Sequence, residues 1–238
     1  MSLTNKIAIV TGASRGIGRA IALQLAANGA KVAAVARNGA DLAGLRNEIA
    51  DQGGESLSVV ANVAVADEAR VVVEKTLERF GRVDILVNNA GVGQFKPTEE
   101  FEESEWDETM DVNVKGTFLL SKAVLPHLKA QRSGHLLSIA SDVSKRTFGN
   151  GSVYCASKYA QDAFCAAVRK EVRPFGIKVS VIYPGLVATY FGGTQPDEER
   201  KKDWLQSADI AHAAVYILGA PAHVVVDELM LHPLSQEY

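Results

Sequence analysis

Seven short apolar runs punctuate the chain, at 7–10, 32–36, 57–61, 85–87, 136–139, 179–183 and 224–231. Most are apolar at successive rather than alternate positions, the pattern of strands covered on both faces. Helical periodicity fills the intervals. Ile17, Ala20, Ile21 and Leu25 share one face of a helix. Further helices are predicted at 41–51, 67–80, 104–129 and 153–175. Strand and helix alternate from end to end, which predicts a parallel sheet with right-handed crossovers and helices on both faces. The expected fold class is therefore α/β: a Rossmann-type, doubly wound, seven-stranded parallel sheet. No repeat, low-complexity tract or long linker divides the chain, so residues 1–238 are expected to form a single domain. The irregular stretch 188–203 holds Gly192, Gly193, Pro196 and the charge run 197–202. It follows a strand's carboxyl end, where the ligand crevice of such a sheet lies, so 188–205 is read as a lid.

Composition narrows the function without choosing one. With 47% hydrophobic and 22% charged residues, the 238-residue chain reads as an ordinary globular protein. A net charge of −3 gives no electrostatic case for nucleic acid or an anionic membrane. The first twenty residues lack a long apolar core and no run is long enough to span a bilayer, so the expected compartment is the cytoplasm. Cys155 and Cys165 share one helical stretch without metal or disulfide spacing, and His127, His135, His212, His223 and His232 are scattered. No metal is implied.

The first strand runs directly into Thr11-Gly12-Ala13-Ser14-Arg15-Gly16-Ile17-Gly18, where a helix begins. Glycines permit a tight turn and close backbone approach, and a helix N-terminus offers unpaired N–H groups to a pyrophosphate. A plain strand-to-helix turn is the alternative. An acidic residue at the end of the second strand would bond an adenosine ribose and repel a 2′-phosphate. That end reads Val35-Ala36-Arg37-Asn38 instead, and Arg37 with Arg15 can pair with a phosphate. The combination points to NADP(H) rather than NAD(H).

In the helical stretch after 153, Tyr154 and Lys158 are four residues apart and share a face. A tyrosine is a poor acid near neutrality, but an adjacent ammonium stabilises its phenolate. The same spacing also suits a core aromatic beside an exposed lysine. Ser141 ends an apolar run at a carboxyl edge, where a hydroxyl can bond a substrate oxygen. Ser138 and Ser144 lie close by and leave that choice open on spacing alone. Asn113 sits mid-helix, where asparagine is a mediocre helix former, so it is either exposed or kept for a local polar task.

Together, the glycine loop, Asn88-Asn89-Ala90-Gly91, Asn113, Ser141, Tyr154, Lys158 and Pro184-Gly185 resemble the short-chain dehydrogenase/reductase family along essentially the whole chain. The 13-residue step from Ser141 to Tyr154 is that family's usual spacing and singles out Ser141. The resemblance implies that Tyr154 is the general acid in reduction and base in oxidation. Lys158 would lower its pKa and hold the nicotinamide ribose, Ser141 would orient the carbonyl, and Asn113 would anchor a water relay to Lys158. It further implies that Asn89, Ala90 and Gly91 support the adenosine-side ribose and the central sheet. Pro184, Gly185, Val187 and Thr189 would sit by the nicotinamide. An aspartate commonly follows the third strand in that family; here Asn62 precedes Val63, and its side-chain oxygen can still accept an adenine bond.

The expected substrate is a small carbonyl or secondary alcohol, with a 3-hydroxy acid favoured because the C-terminal stretch 222–236 resembles that of serine-type 3-hydroxy acid dehydrogenases. The alternatives are a 3-oxoacyl-carrier-protein reductase and, in another class, a non-catalytic NADP(H)-sensing regulator. Tyr190, Phe191 and Trp204 either line an apolar pocket or pack beneath a loop. Lys145, Arg146, Arg200, Lys201 and Lys202 either meet an anion or form a solvated face. By analogy with the family, the chain is expected to form a homo-oligomer, dimer or tetramer.

Overall fold

Each of the first six apolar runs becomes a strand of one parallel sheet in the computed structural model, which describes residues 3–237. The ends of the expected domain, 1–2 and 238, lie outside the described residues. In chain order the first half comprises β1 (Ile7–Thr11), α1 (Gly16–Ala27), β2 (Lys31–Ala36), α2 (Gly39–Asp51), β3 (Ser56–Val60), α3 (Ala66–Phe80) and β4 (Ile85–Asn88). There follow α4 (Glu103–Met110), a π turn (Asp111–Lys115), α5 (Gly116–Gln131), β5 (Gly134–Ile139), α6 (Ser152–Val172) and β6 (Ile177–Pro184). The chain closes with β7 (Val187–Ala188), β8 (Leu205–Gln206), α7 (Ser207–Leu218) and β9 (Glu228–Leu231).

The sheet order is β3-β2-β1-β4-β5-β6-β9. All its pairings are parallel, with Val10 of β1 opposite Ala34 and Val87. Successive strand residues point to opposite faces, and the two cores follow that alternation. Ala8 and Val10 pack with Ile21 and Leu25 of α1, Leu45 of α2 and Ile217 of α7. Ile9 faces the other way, with Val72 of α3, Leu120 and Val124 of α5 and Val168 of α6. Burial on both sides is why these strands are continuously apolar. The winding reverses between β1 and β4, and their carboxyl ends open a crevice there. Among the described residues, no helix is long and apolar enough to cross a membrane.

Four features depart from the sequence reading. The last run shortens to Glu228–Leu231, because Val224 donates its N–H to Pro221 O in a turn and is 37% exposed. The stretch 104–129 is one helical rod interrupted at Asp111–Lys115 by a π turn, the kind of insertion often found at functional sites. Helix α7 was not anticipated. It is apolar around most of its circumference and is started by a capping box between Gln206 and Asp209. Finally, β7 and β8 pair with each other, so 189–204 leaves and rejoins the body at one point.

Candidate active site

The carboxyl ends of β1 and β4 are tied by side chains before any ligand is considered. Thr11 Oγ1 donates to Val87 O (3.2 Å) and accepts from the N–H groups of Asn89 (2.9 Å) and Ala90 (3.0 Å). Asn89 Nδ2 returns a bond to Thr11 O (2.9 Å). Gly12 lies in this contact with φ +65°, and a Cβ there would sit 2.9 Å from Ala90 Cα. Only glycine fits both the conformation and the space. Helix α1 starts at Gly16 with no side-chain cap on its first N–H groups and no acidic residue in its first turn. That leaves a positive helix end facing the crevice.

A cavity of about 780 Å³ runs from this loop to Tyr154 and Lys158. Its adenosine-side wall holds Gly12, Ser14, Arg15, Gly16, Ile17, Arg37, Asn62 and Val63. Asn89, Ala90 and Gly91 form the middle, and Ser141, Tyr154, Lys158, Pro184, Gly185, Val187 and Thr189 the far end. Two expected residues stand behind the wall rather than in it. Gly18 is buried beneath Asn89, and Asn113 is fully buried. A glycine cradle, an uncapped helix start, two arginines and an elongated cavity fit a phosphate-bearing dinucleotide.

Four details qualify the adenosine end. Arg37 faces Glu108 across 3.8 Å with both side chains exposed, a weak pair that a phosphate can displace. Asn38 is spent on capping α2 through Ala40 and Asp41 N–H. Asp41 also lines the cavity, so one carboxylate does reach this end. Asn62 Oδ1 accepts from Ala64 N–H (3.1 Å), which leaves it one lone pair for an adenine.

At the far end, the Ser141 hydroxyl lies close enough to the Tyr154 phenol to shift its pKa, and Lys158 Nζ lies 5.8 Å from the Tyr154 ring centre. Lys158 Nζ donates to Ile139 O (3.1 Å) and Gln161 Oε1 (2.9 Å). Burial holds its pKa down to about 8. The Tyr154 phenol departs from expectation, because burial pushes its pKa up. The Ser141 hydroxyl opposes that rise, and the nearby Asp142 charge adds to it. Desolvation is the largest of these influences, so the phenol keeps its proton and stands ready as an acid.

Asn113 contributes from behind. Its Oδ1 accepts from Val92 N–H (2.8 Å), while its Nδ2 donates to Val92 O (2.8 Å) and Ser157 Oγ (2.9 Å). Its side chain thus clamps the segment that follows Gly91 to α6, with no bond to Lys158 among the hydrogen bonds it makes. The π turn is what turns this polar group inward on an otherwise regular helix.

Asp142 was not anticipated. This buried carboxylate accepts from Ser141 Oγ (3.1 Å), from Arg146 Nε (3.0 Å) and from Gln236 Nε2 (2.8 Å). Gln236 Oε1 in turn accepts from Leu186 N–H (2.8 Å), and a Cβ at Gly185 would collide with it. The C-terminal segment therefore ties the Ser141 loop to the loop after β6. Lys201, from the charge run, is buried rather than solvated. Its Nζ donates to Thr189 O (2.8 Å), Thr194 Oγ1 (2.5 Å) and Gln195 O (2.6 Å), pinning 189–204 to itself. Lys145 and Lys202 pair instead with Asp162 and Glu199.

A family model described as short chain dehydrogenase matches residues 6–200. The chain belongs to the short chain dehydrogenase family. This dehydrogenase is 38% identical over 233 residues to an uncharacterized oxidoreductase of Staphylococcus aureus (strain MRSA252), covering 98% of this chain and 99% of that one. An alcohol dehydrogenase from the archaeon Thermococcus sibiricus, complexed with 5-hydroxy-NADP, superposes with a TM-score of 0.93 at 39% identity, over 98% of both chains. A metagenomic short-chain oxidoreductase in complex with NADP gives 0.88 at 32% identity, over 99% of this chain and 100% of that one. Beyond the expected site residues, this dehydrogenase adds Asp142 and Gln236, with Phe95 joining Phe191 beside Tyr154 and Phe148 behind Phe95. No spacing rule pointed to them; only the fold brings Gln236 within reach of Asp142.

Proposed function

We propose that this dehydrogenase interconverts a ketone or aldehyde and the corresponding alcohol with NADP(H). The observation that carries the reading is the meeting of Ser141, Tyr154 and Lys158 at one end of a cavity whose other end is a glycine cradle. Residues 12–18 and the α1 N-terminus hold the pyrophosphate, Arg15 and Arg37 the 2′-phosphate, and Asn62 with Val63 the adenine. Asn89 to Gly91 lie along the ribose, and Pro184, Gly185, Val187 and Thr189 border the nicotinamide. The nicotinamide, when bound, supplies hydride in reduction and accepts it in oxidation. NADP-bound forms of the two solved relatives support the choice of nucleotide.

Reduction needs a proton delivered to the substrate oxygen as negative charge grows on it. Tyr154, protonated in its partly buried setting, donates it; Ser141 bonds the same oxygen; the Lys158 ammonium stabilises the phenolate left behind. Oxidation runs the same groups in reverse. Asn113 holds the Val92 backbone in register with α6 and, on the family pattern, also stands behind a water relay to Lys158. Residues 188–205 act as the lid. Half-exposed Trp106, Phe118 and Tyr159 offer apolar surface for association as a dimer or tetramer, which we place in the cytoplasm.

The test is NADPH oxidation followed by absorbance against neutral ketones, 3-keto acids and acyl thioesters, repeated with NADH. Stoichiometric alcohol formation with NADPH preferred is the expected result. Tight nucleotide binding without turnover of any carbonyl would replace this reading with a nucleotide-sensing regulator.

A further inference from the structure

The chemistry of the far end of the cavity bears on what enters it. Phe95 and Phe191 flank the Tyr154 ring at centre distances of 5.6 and 5.2 Å, and Phe148 lies 5.5 Å from Phe95. The backbone is cut away to admit these rings. A Cβ at Gly93 would lie 2.6 Å from Phe191 and 2.8 Å from Tyr154, and one at Gly151 would collide with Phe148. Yet the rings are not core residues. Phe95 is 47% and Phe148 39% exposed, and both border the cavity. Large aromatic surface left open inside a cleft is surface kept for a ligand.

Three of the four cations at the same end already have protein partners. Apart from Lys158, the cations here are Arg146, Arg200 and Lys201. Arg146 is bonded to Asp142, Arg200 to Glu198 (2.7 Å), and Lys201 to the acceptors of its own loop. Asp142 places a negative group 3.1 Å from Ser141 Oγ. A substrate carboxylate placed beside Ser141 would meet that charge, with Arg146 already bonded to it.

Resting on the carbonyl reading above, we infer that the substrate is an uncharged ketone, or its alcohol, bearing an aryl or similarly broad apolar group that packs on Phe95 and Phe148. It places such a ketone ahead of the 3-hydroxy acid. Phe95 lies against the Tyr154 ring, so a group packed on it and on Phe148 sits beside the proton donor and orients the carbonyl toward Tyr154 and Ser141.

The experiment compares kcat/KM with NADPH for 4-phenylbutan-2-one, butan-2-one and acetoacetate. The phenyl group is insulated from the carbonyl, so the two neutral ketones differ in packing rather than intrinsic reactivity. The phenyl ketone should exceed butan-2-one by about 30-fold or more, in the range that apolar pockets discriminate, with acetoacetate the poorest. Phe148→Ala should cut the phenyl-to-methyl ratio about tenfold, and Phe95→Leu should cut it in the same direction. Turnover of butan-2-one with a ratio near one, a ratio untouched by both variants, or faster acetoacetate would overturn the inference alone. No turnover of any of the three would overturn the carbonyl reading and the inference together.

Discussion

Asn113→Ala tests whether the π turn holds the active site together. The substitution removes both bonds to the Val92 backbone and one to Ser157, whose hydroxyl keeps its bond to Tyr154 O (2.7 Å). Each backbone group left unpaired costs about 1–3 kcal/mol. Val92 is only partly buried and water reaches it, so the total is about 2–4 kcal/mol. At roughly 2–4 °C per kcal/mol for a chain of this size, Tm should fall by about 5–15 °C. Activity should fall too, because Val92 leads into Gly93 and Phe95, which pack on Tyr154. A displacement of the reacting groups approaching 1 Å costs on the order of 100-fold in kcat/KM. Asn113→Asp sharpens the test. The new carboxyl must keep a proton to donate to Val92 O, so its folded pKa is raised above about 4. Its penalty is absent in acid and grows as pH rises through that raised value. Thermal unfolding from pH 4.5 to 8, paired with steady-state rates, reads both effects. Tm values within 2 °C of wild type for both variants, at all pH values, would refute the clamp.

Three further outcomes follow from the same geometry. Lys158 has its pKa held at about 8, below the ~10.5 of an exposed lysine. The buried charge therefore weakens the fold fully below pH 8, and the penalty fades towards pH 10.5. Denaturant unfolding of wild type against Lys158→Met should shift in favour of wild type between pH 7.5 and 10; a constant difference would contradict the desolvation. Gly185→Ala drives a methyl into Gln236 and His232, so its loss of kcat/KM should be partly shared with Gln236→Ala. Strictly additive losses in the double variant would show that the C-terminal tie does not act at that loop. Lys201→Met keeps the length but strips three bonds, so limited proteolysis within 189–204 should speed up about tenfold or more; unchanged cleavage would show the segment is held elsewhere.

Much of this was readable from residue pattern because the signals are local. Strands buried on both faces leave unbroken apolar runs, and β1 with its glycine turn is legible without its neighbours. Tyr154 and Lys158 are one helical turn apart, so their alliance is also local. What escaped the sequence is what depends on distant contacts. Helix α7 has only a narrow exposed face at Asp209, His212 and Tyr216, so its apolar run did not stand out as amphipathic. The π turn gives no periodic signal distinct from a continuous helix. Asp142 and Gln236 are 94 positions apart and meet only because β5, β6 and the C-terminal segment converge. The raised Tyr154 pKa follows from burial, which no spacing reports. Lys201 looked like one member of a solvated charge run until the turn at Glu199–Lys201 aimed it inward.

Tyr154→Phe puts the matter most directly, since it deletes a single oxygen and leaves the ring packed between Phe95 and Phe191. NADPH affinity by fluorescence titration and ketone reduction by absorbance should be measured on the same preparation. Proton delivery by this phenol predicts affinity within about threefold of wild type and a turnover lower by about 100-fold to 10,000-fold. Turnover within tenfold of wild type would place the proton source elsewhere and contradict the account.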